Sequence, residues 1–166
     1  MQKITPCLWF NNDEADEAAR FYTAIFKNSK IGKISRYGKE GAKSFDIPED
    51  KVLTMEFTLD GQNFTALNGA GDMQFKFNEA VSFQVFCDTQ EELDHYWEKL
   101  GTDGDPKAQA CGWLKDKYGL SWQIVPTVLS KLLTDPDAGK SARVMHVLMQ
   151  MKKLEIAELE RAYRGQ

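Results

Sequence analysis

The chain has 166 residues, 42% hydrophobic and 28% charged, with a formal net charge of −4. That suits one compact domain or two small fused modules, and it argues against a nucleic-acid partner or an anionic membrane surface. No apolar run approaches the roughly 20 residues that span a bilayer, and the start MQKITPCLWF lacks the layout of a signal peptide. The three cysteines, Cys7, Cys87 and Cys111, are widely spaced and odd in number, so a cytoplasmic protein with reduced thiols is expected.

In chain order, residues 4–10 read as a strand, and Asn11, Asn12 and Asp13 offer helix-capping side chains. A helix follows, with Ala15, Ala18, Ala19, Tyr22, Ile25 and Phe26 as its apolar stripe. Residues 29–37 resume strand character, and a polar loop covers 38–50. Residues 52–59 alternate strictly, with Leu53, Met55, Phe57 and Leu59 on one face. Asp60-Gly61 predicts a tight hairpin turn, and residues 62–68 return as a strand. The order then repeats: a strand over 80–87, a helix over 90–100 whose Thr89 and Glu92 have capping-box spacing, a Gly- and Asp-rich loop, and two or three short strands. The two helices begin about 75 residues apart, which marks a duplication. The last two strands form a hairpin, CGWLKDKYGLSWQIVP, turning through Asp116-Lys117-Tyr118-Gly119 and dense in aromatic residues. Beyond Pro126 the chain becomes helical: a short helix capped by Thr127 over 128–133, an amphipathic helix over 140–151, and over 154–163 either a further helix or a bent extension of it. With Met145, Met149 and Met151 this extension (127–166) is expected to cover either the rest of the domain or a second subunit. Residues 1–126 form one domain of two modules, at about 1–72 and 80–126.

A repeated β-α-β-β-β unit with Phe21-Tyr22 in its first helix resembles the vicinal oxygen chelate superfamily of glyoxalases, extradiol dioxygenases and antibiotic-resistance proteins. ITPCLWF, CDTQEELDHYWEKL, CGWLKDKYGLSWQIVP and RVMHVLMQMKKLEIAELERAY resemble the PhnB-like family, commonly labelled 3-demethylubiquinone-9 3-methyltransferase. The resemblance implies an α+β fold: two βαβββ modules forming a curved, cup-like mixed sheet, with the C-terminal helical extension added. Metal enzymes of this fold draw one ligand from the first and one from the last strand of each module. The matching positions are Thr5, Ala66, Ser82 and Gln123, a set without carboxylate or imidazole. No metal and no cofactor are therefore expected. His95 and His146 fall on helices, away from the cup.

Strand alternation then gives a candidate ligand-binding lining: Thr5 with Cys7 and Trp9; Phe64 and Asn68 with Ala66; Ser82 with Gln84 and Phe86; and Gln123 with Ser121 and Val125. Trp113, in the same aromatic hairpin, is added to the ligand-binding candidates. Such a set either lines a pocket for a neutral or aromatic small molecule or fills the cup as a packed core. Cys7, Cys111 and Gln123 are the candidates for catalysis, although no histidine, lysine or helix start next to either thiol activates it. Asn68-Gly69-Ala70-Gly71-Asp72 echoes a nucleotide loop, but no helix follows it, so methyl transfer finds no support in the residues. The expectation is a homodimeric, metal-free small-molecule-binding protein; the alternative is an enzyme of the same superfamily acting on a small molecule.

Overall fold

The computed structural model describes residues 3–11, 13–70 and 74–166. The chain divides into two compact units, Met1–Lys76 and Phe77–Gln166.

The first unit runs β1 (Cys7–Phe10), α1 (Ala15–Ile25), β2 (Lys30–Arg36), α2 (Gly38–Phe45), β3 (Val52–Leu59) and β4 (Gln62–Asn68). Its sheet has the order β1-β4-β3-β2, with β1 parallel to β4 and the other pairs antiparallel. The Asp60-Gly61 turn fixes the β3–β4 register, setting Phe57 opposite Phe64 and Met55 opposite Ala66. The apolar face of β3 is therefore shared by Phe64, Ala66 and Asn68. All three are buried with Leu8 and Phe10 on the side that carries α1. Tyr22 of α1 stacks on Phe57 at 6.3 Å between centroids, and Phe57 on Phe64 at 5.3 Å. Each such buried aromatic contributes roughly 2–3 kcal/mol by its removal from water.

Residues 38–45 and the start of α1 differ from expectation. Residues 38–45, read as loop, form α2, closed by Asp46 in a left-handed conformation. Two glycines in GKEGAKSF lower its helix propensity, and the buried Ala42 and the edge contact between Tyr37 and Phe45 hold it. The proposed caps at Asn11 and Asp13 do not cap α1; its N-cap is Glu14, with no side-chain bond. The third candidate cap, Asn12, lies outside the described residues, as do Gly71 and Asp72.

The second unit runs β5 (Ser82–Cys87), α3 (Gln90–Gly101), β6 (Trp113–Lys115) and β7 (Ser121–Pro126), in sheet order β5-β7-β6. Among the described residues the first module has four strands and the second three. Where a fourth strand was expected, Gly- and Asp-rich residues give a loop, a 3₁₀ turn at Pro106–Ala108 and a single bridge between Ala110 and Trp113. The capping box on α3 is present: Thr89 Oγ1 accepts from Glu92 N at 3.2 Å, and Glu92 Oε2 accepts from Asp88 N at 2.9 Å. The β6–β7 hairpin turns around a buried carboxylate. Asp116 Oδ1 accepts the backbone N–H groups of Tyr118 and Leu120, while Oδ2 accepts the indole N–H of Trp122 at 2.9 Å.

The C-terminal extension belongs to this second unit. It forms α4 (Val128–Leu133), α5 (Ala138–Leu148) and α6 (Ile156–Arg164); α5 starts two residues earlier than expected because Asp137 accepts from Gly139 N and Lys140 N. Thr127 takes the N-cap position of α4, but its hydroxyl donates to Asp88 and makes no bond to the helix. The backbone N–H groups of Cys111 and Gly112 donate to Met151 and Lys152 carbonyls, both at 2.8 Å. Gln90 bridges Leu154 O and Ile156 N, and Lys153 pairs with Asp94. Arg143 of α5 donates to the Ala162 and Tyr163 carbonyls that end α6. Among the described residues no helix is long and apolar enough to cross a membrane.

Candidate functional site

In the second unit α3 covers one face of the sheet, and Val85, Cys87, Leu114, Trp122 and Ile124 are buried on that side. Alternation sends Ser82, Gln84 and Phe86 of β5, Trp113 and Lys115 of β6, and Ser121, Gln123 and Val125 of β7 to the opposite, open face. The ligand-binding candidates Ser82, Gln84, Phe86, Trp113 and Gln123 share that face, whereas Cys111 precedes β6 and lies on neither strand face. Gln123 is its centre: the amide donates to Ser82 Oγ at 2.8 Å and accepts from the Gln84 amide at 3.2 Å. Trp113 stands opposite Gln123 in the β6–β7 register, and Phe86 is 59% exposed. The result is a row of neutral donors and acceptors between two aromatic side chains.

Next to this row lies a cleft of about 390 Å³ lined by Ala108, Ala110, Cys111, Trp113, Leu114 and Lys115, with Glu79 and Ser121. Lys115 and Glu79 form an ion pair, and the Lys115 ammonium holds the Glu79 carboxyl below the ordinary glutamate range. Ser121 is 1% exposed, and its hydroxyl has no hydrogen-bond partner among the described residues.

The first unit's open face differs from expectation. Thr5, Cys7 and Trp9 lie on it. Phe64 and Asn68 do not, and neither does Ala66: all three sit in the core beneath α1. Asn68 Oδ1 accepts from Ala15 N at 2.9 Å, and its amide donates to Val52 O at 3.1 Å, so both ends of the side chain are committed. A slip of one residue in β4 accounts for the misplacement, since it moves every side chain to the opposite face. The open-face residues of β4 are Asn63, Thr65 and Leu67, and β3 adds Thr54, Glu56 and Thr58. Thr5, Glu56, Thr58, Asn63 and Thr65 line a cleft of about 410 Å³, with Lys30 and Lys33 at its side, and Phe57 and Phe64 also border it although both are buried in the core. The turn signal in the sequence pointed to Thr65 and Glu56, because a two-residue turn at Asp60-Gly61 makes Glu56 and Thr65 partners. Trp9 lies over Gly69: a Cβ there would fall 2.2 Å from the indole nitrogen. Phe75 meets the same ring edge-on at 5.0 Å. Gly69 is thus a packing requirement of Trp9, not part of a phosphate cradle.

At the positions matched to metal ligands the second unit carries Ser82 and Gln123, bonded to each other. In the first they carry Thr5 and, with the register corrected, Thr65. Neutral hydroxyls and an amide do not bind a divalent transition metal with useful affinity, so these residues do not fit one. Among the described residues no group of three or more His, Cys, Asp or Glu side chains is placed to hold a metal ion.

The thiols are weakly suited to nucleophilic work. Burial pushes the Cys7 thiol above its ordinary value. Burial, then Glu92 and Asp88, pushes Cys87 up to about 12. Cys111 has a left-handed backbone (φ 52°) and lines the cleft beside Trp113. His95 is exposed on α3, and His146 is exposed on α5 beside Gln150; neither lies on a sheet face.

Residues 2–125 match the family model described as 3-demethylubiquinone-9 3-methyltransferase. A Bacillus cereus PhnB protein described as a 3-demethylubiquinone-9 3-methyltransferase is 39% identical, overlays with a TM-score of 0.66, and is matched over 76% of this chain and 100% of its own. A Pseudomonas aeruginosa protein has the same fold at 17% identity, with a TM-score of 0.57 over 76% of this chain and 98% of its own. The Listeria monocytogenes fosfomycin resistance protein FosX overlaps more loosely, at 18% identity and a TM-score of 0.47, over 78% of this chain and 94% of its own. No curated protein sequence matches the chain.

Proposed function

Because the chain belongs to the 3-demethylubiquinone-9 3-methyltransferase (PhnB-like) family, within the vicinal oxygen chelate superfamily, we propose that it binds a small neutral or aromatic organic molecule on the open face of its second sheet, without a metal ion. The observation that carries this reading is the state of Gln123. A carboxylate at this position would offer charge to a cation. The amide instead spans Ser82 and Gln84 and leaves a neutral hydrogen-bonding row between Phe86 and Trp113. Apolar walls with a few fixed polar groups are the usual composition of a small-molecule site. Methyl transfer is not proposed: Asn68 and Gly69, the start of the loop that echoed a nucleotide motif, serve the α1 contact and the Trp9 packing.

Protein purified without chelator and analysed for metals is expected to carry no divalent ion in proportion to subunits. One ion per subunit, lost in Gln123→Ala, overturns the metal-free reading. A panel of neutral aromatic compounds followed by thermal shift is expected to give stabilisers whose effect fades in Gln123→Ala.

The proposal includes a cytoplasmic homodimer. Met145 and Met149, 45% and 64% exposed on and just after α5, give the extension an apolar surface suited to a second copy. A solution mass of twice 18.9 kDa is expected, and a mass equal to one subunit removes the dimer from the proposal.

A further inference from the structure

The 410 Å³ cleft on the first sheet has a chemistry unlike that of the second sheet, and a bulge in β2 builds its rim. Ile31 stands opposite Phe57 and Ile34 opposite Met55, so Gly32 and Lys33 together face the single residue Glu56. The extra residue keeps Ile31 and Ile34 on the side of Phe57 and Met55. It leaves Lys33 at the cleft, where regular alternation would turn it away. Lys30, opposite Thr58, lies at the cleft too. Gly32 is part of the same wall: a Cβ there would fall 3.1 Å from the Glu56 Cβ and 3.2 Å from the Glu56 carbonyl oxygen, so a side chain would crowd it. Among the described residues Lys30, Lys33 and Glu56 make no ion pair, and the hydroxyls of Thr58 and Thr65 have no hydrogen-bond partner.

The unpaired ammonium groups of Lys30 and Lys33 at one side of the cleft suit a carboxylate. Glu56 in the same cleft disfavours a polyanion, because a further negative group would face its carboxylate, and it accepts hydrogen bonds instead. The hydroxyls of Thr5, Thr58 and Thr65 and the amide of Asn63 both donate and accept, which matches ligand hydroxyls. We propose that this cleft binds a polyhydroxy monocarboxylate, with its carboxylate on Lys30 and Lys33 and its hydroxyls on Glu56 and the threonine row. This site is separate from the ligand face assigned above on the second sheet, and it does not depend on that assignment.

The test is a set of titrations of the isotope-labelled protein followed by NMR, with gluconate, with hexanoate, which lacks the hydroxyls, and with glucitol, which lacks the charge. Gluconate is expected to shift the amide signals of β2, β3 and β4 and to bind at least about tenfold more tightly than either analogue. The double variant Lys30→Gln, Lys33→Gln is expected to weaken gluconate about tenfold and to leave glucitol unchanged, and added salt to weaken gluconate in the parent. Glu56→Gln removes the repelling charge, so it is expected to strengthen hexanoate and narrow the preference for gluconate. Gln123→Ala, on the other sheet, is expected to leave gluconate affinity unchanged. No gluconate binding, equal affinity for the three compounds, or binding that survives the double lysine variant overturns the inference. So does a loss of gluconate binding in Gln123→Ala. Each of these results leaves the ligand face of the second sheet to be judged by its own panel of neutral aromatic compounds.

Discussion

Asn68, at the end of β4, accepts the backbone N–H of Ala15 at the start of α1 through its side-chain oxygen, at 2.9 Å and out of contact with water. The helix is thus capped from the sheet rather than by its own flanking residues. The same side chain donates to Val52 O. Asn68→Ala leaves both backbone groups unpaired in the core, and is expected to cost about 2–4 kcal/mol in urea unfolding. Small-molecule binding at saturating folded protein is expected to be unchanged, because the side chain does not reach an open face.

The β6–β7 hairpin depends on Asp116 in a similar way. Its two carboxylate oxygens accept from Tyr118 N, Leu120 N and Trp122 Nε1. Asp116→Ala is expected to cost about 3 kcal/mol and to weaken the near-UV dichroism of Trp122. Asp116→Asn is expected to cost a large share of that. In one orientation the amide NH2 opposes the indole N–H, and in the other it opposes the two backbone N–H groups, so either way a donor meets a donor.

These two residues show what was legible in the sequence. The β3 alternation, the Asp60-Gly61 turn and the Thr89–Glu92 capping box are local signals, and each appears in the structure. The whole second-module face follows from alternation about Gln123. The face of β4 follows from the hairpin partners Phe57 and Leu59 and not from a match to a metal-ligand pattern. The cue was available but unhelpful at the residue level: Asn68 is polar yet buried, and Leu67 is apolar yet on the open face. Nothing local marks a polar residue as the cap of a helix 53 positions away. The helix α2 was hidden by its glycines, which tertiary packing overrides.

Gln123 separates structure from binding. Its partners Ser82 and Gln84 are partly exposed and can turn to water. Gln123→Ala is therefore expected to change stability by less than about 0.5 kcal/mol, while the affinity for a stabilising aromatic compound falls tenfold or more. Gln123→Glu keeps both contacts, because a carboxylate accepts from the Gln84 amide and from the Ser82 hydroxyl. It adds a charge beside Trp113, so a neutral ligand is expected to bind more weakly with the fold intact.

The extension is tied to α3 by an ion pair with a readable pH signature. The hydrogen bond from Lys153, then that from Gln90, holds the Asp94 carboxyl below its ordinary value of 3.8. The hydrogen bond to Asp94 in turn raises Lys153 above 10.5. A depressed carboxylate contributes stability above its unfolded value and loses it as pH falls through the folded one, here below 3.8. A raised ammonium contributes below 10.5 and loses it as pH rises through its folded value. Between these limits the pair adds a constant term, below about 1 kcal/mol because both groups are near the surface. Asp94→Asn is expected to flatten the acid limb of stability against pH, and added salt to shrink the difference from the parent at neutral pH.

Gly112 and Gly119 have the same backbone conformation, φ 85°, and differ in surroundings. A Cβ at Gly119 meets nothing within 4 Å, whereas one at Gly112 falls 3.0 Å from Ile124 O and 3.0 Å from Leu154. Gly119→Ala is expected to cost only the left-handed strain, about 1–2 kcal/mol. Gly112→Ala adds a clash at the point where Ile124 N donates to Gly112 O and Gly112 N donates to Lys152 O, so it disturbs both the hairpin and the docking of the extension. Its urea midpoint is expected to lie well below that of Gly119→Ala. Limited proteolysis is expected to release the segment after Pro126 sooner in Gly112→Ala alone. Equal midpoints and equal cleavage would show that the extension is held by its other contacts, at Gln90, Asp94 and Arg143, and not through the Cys111-Gly112 backbone.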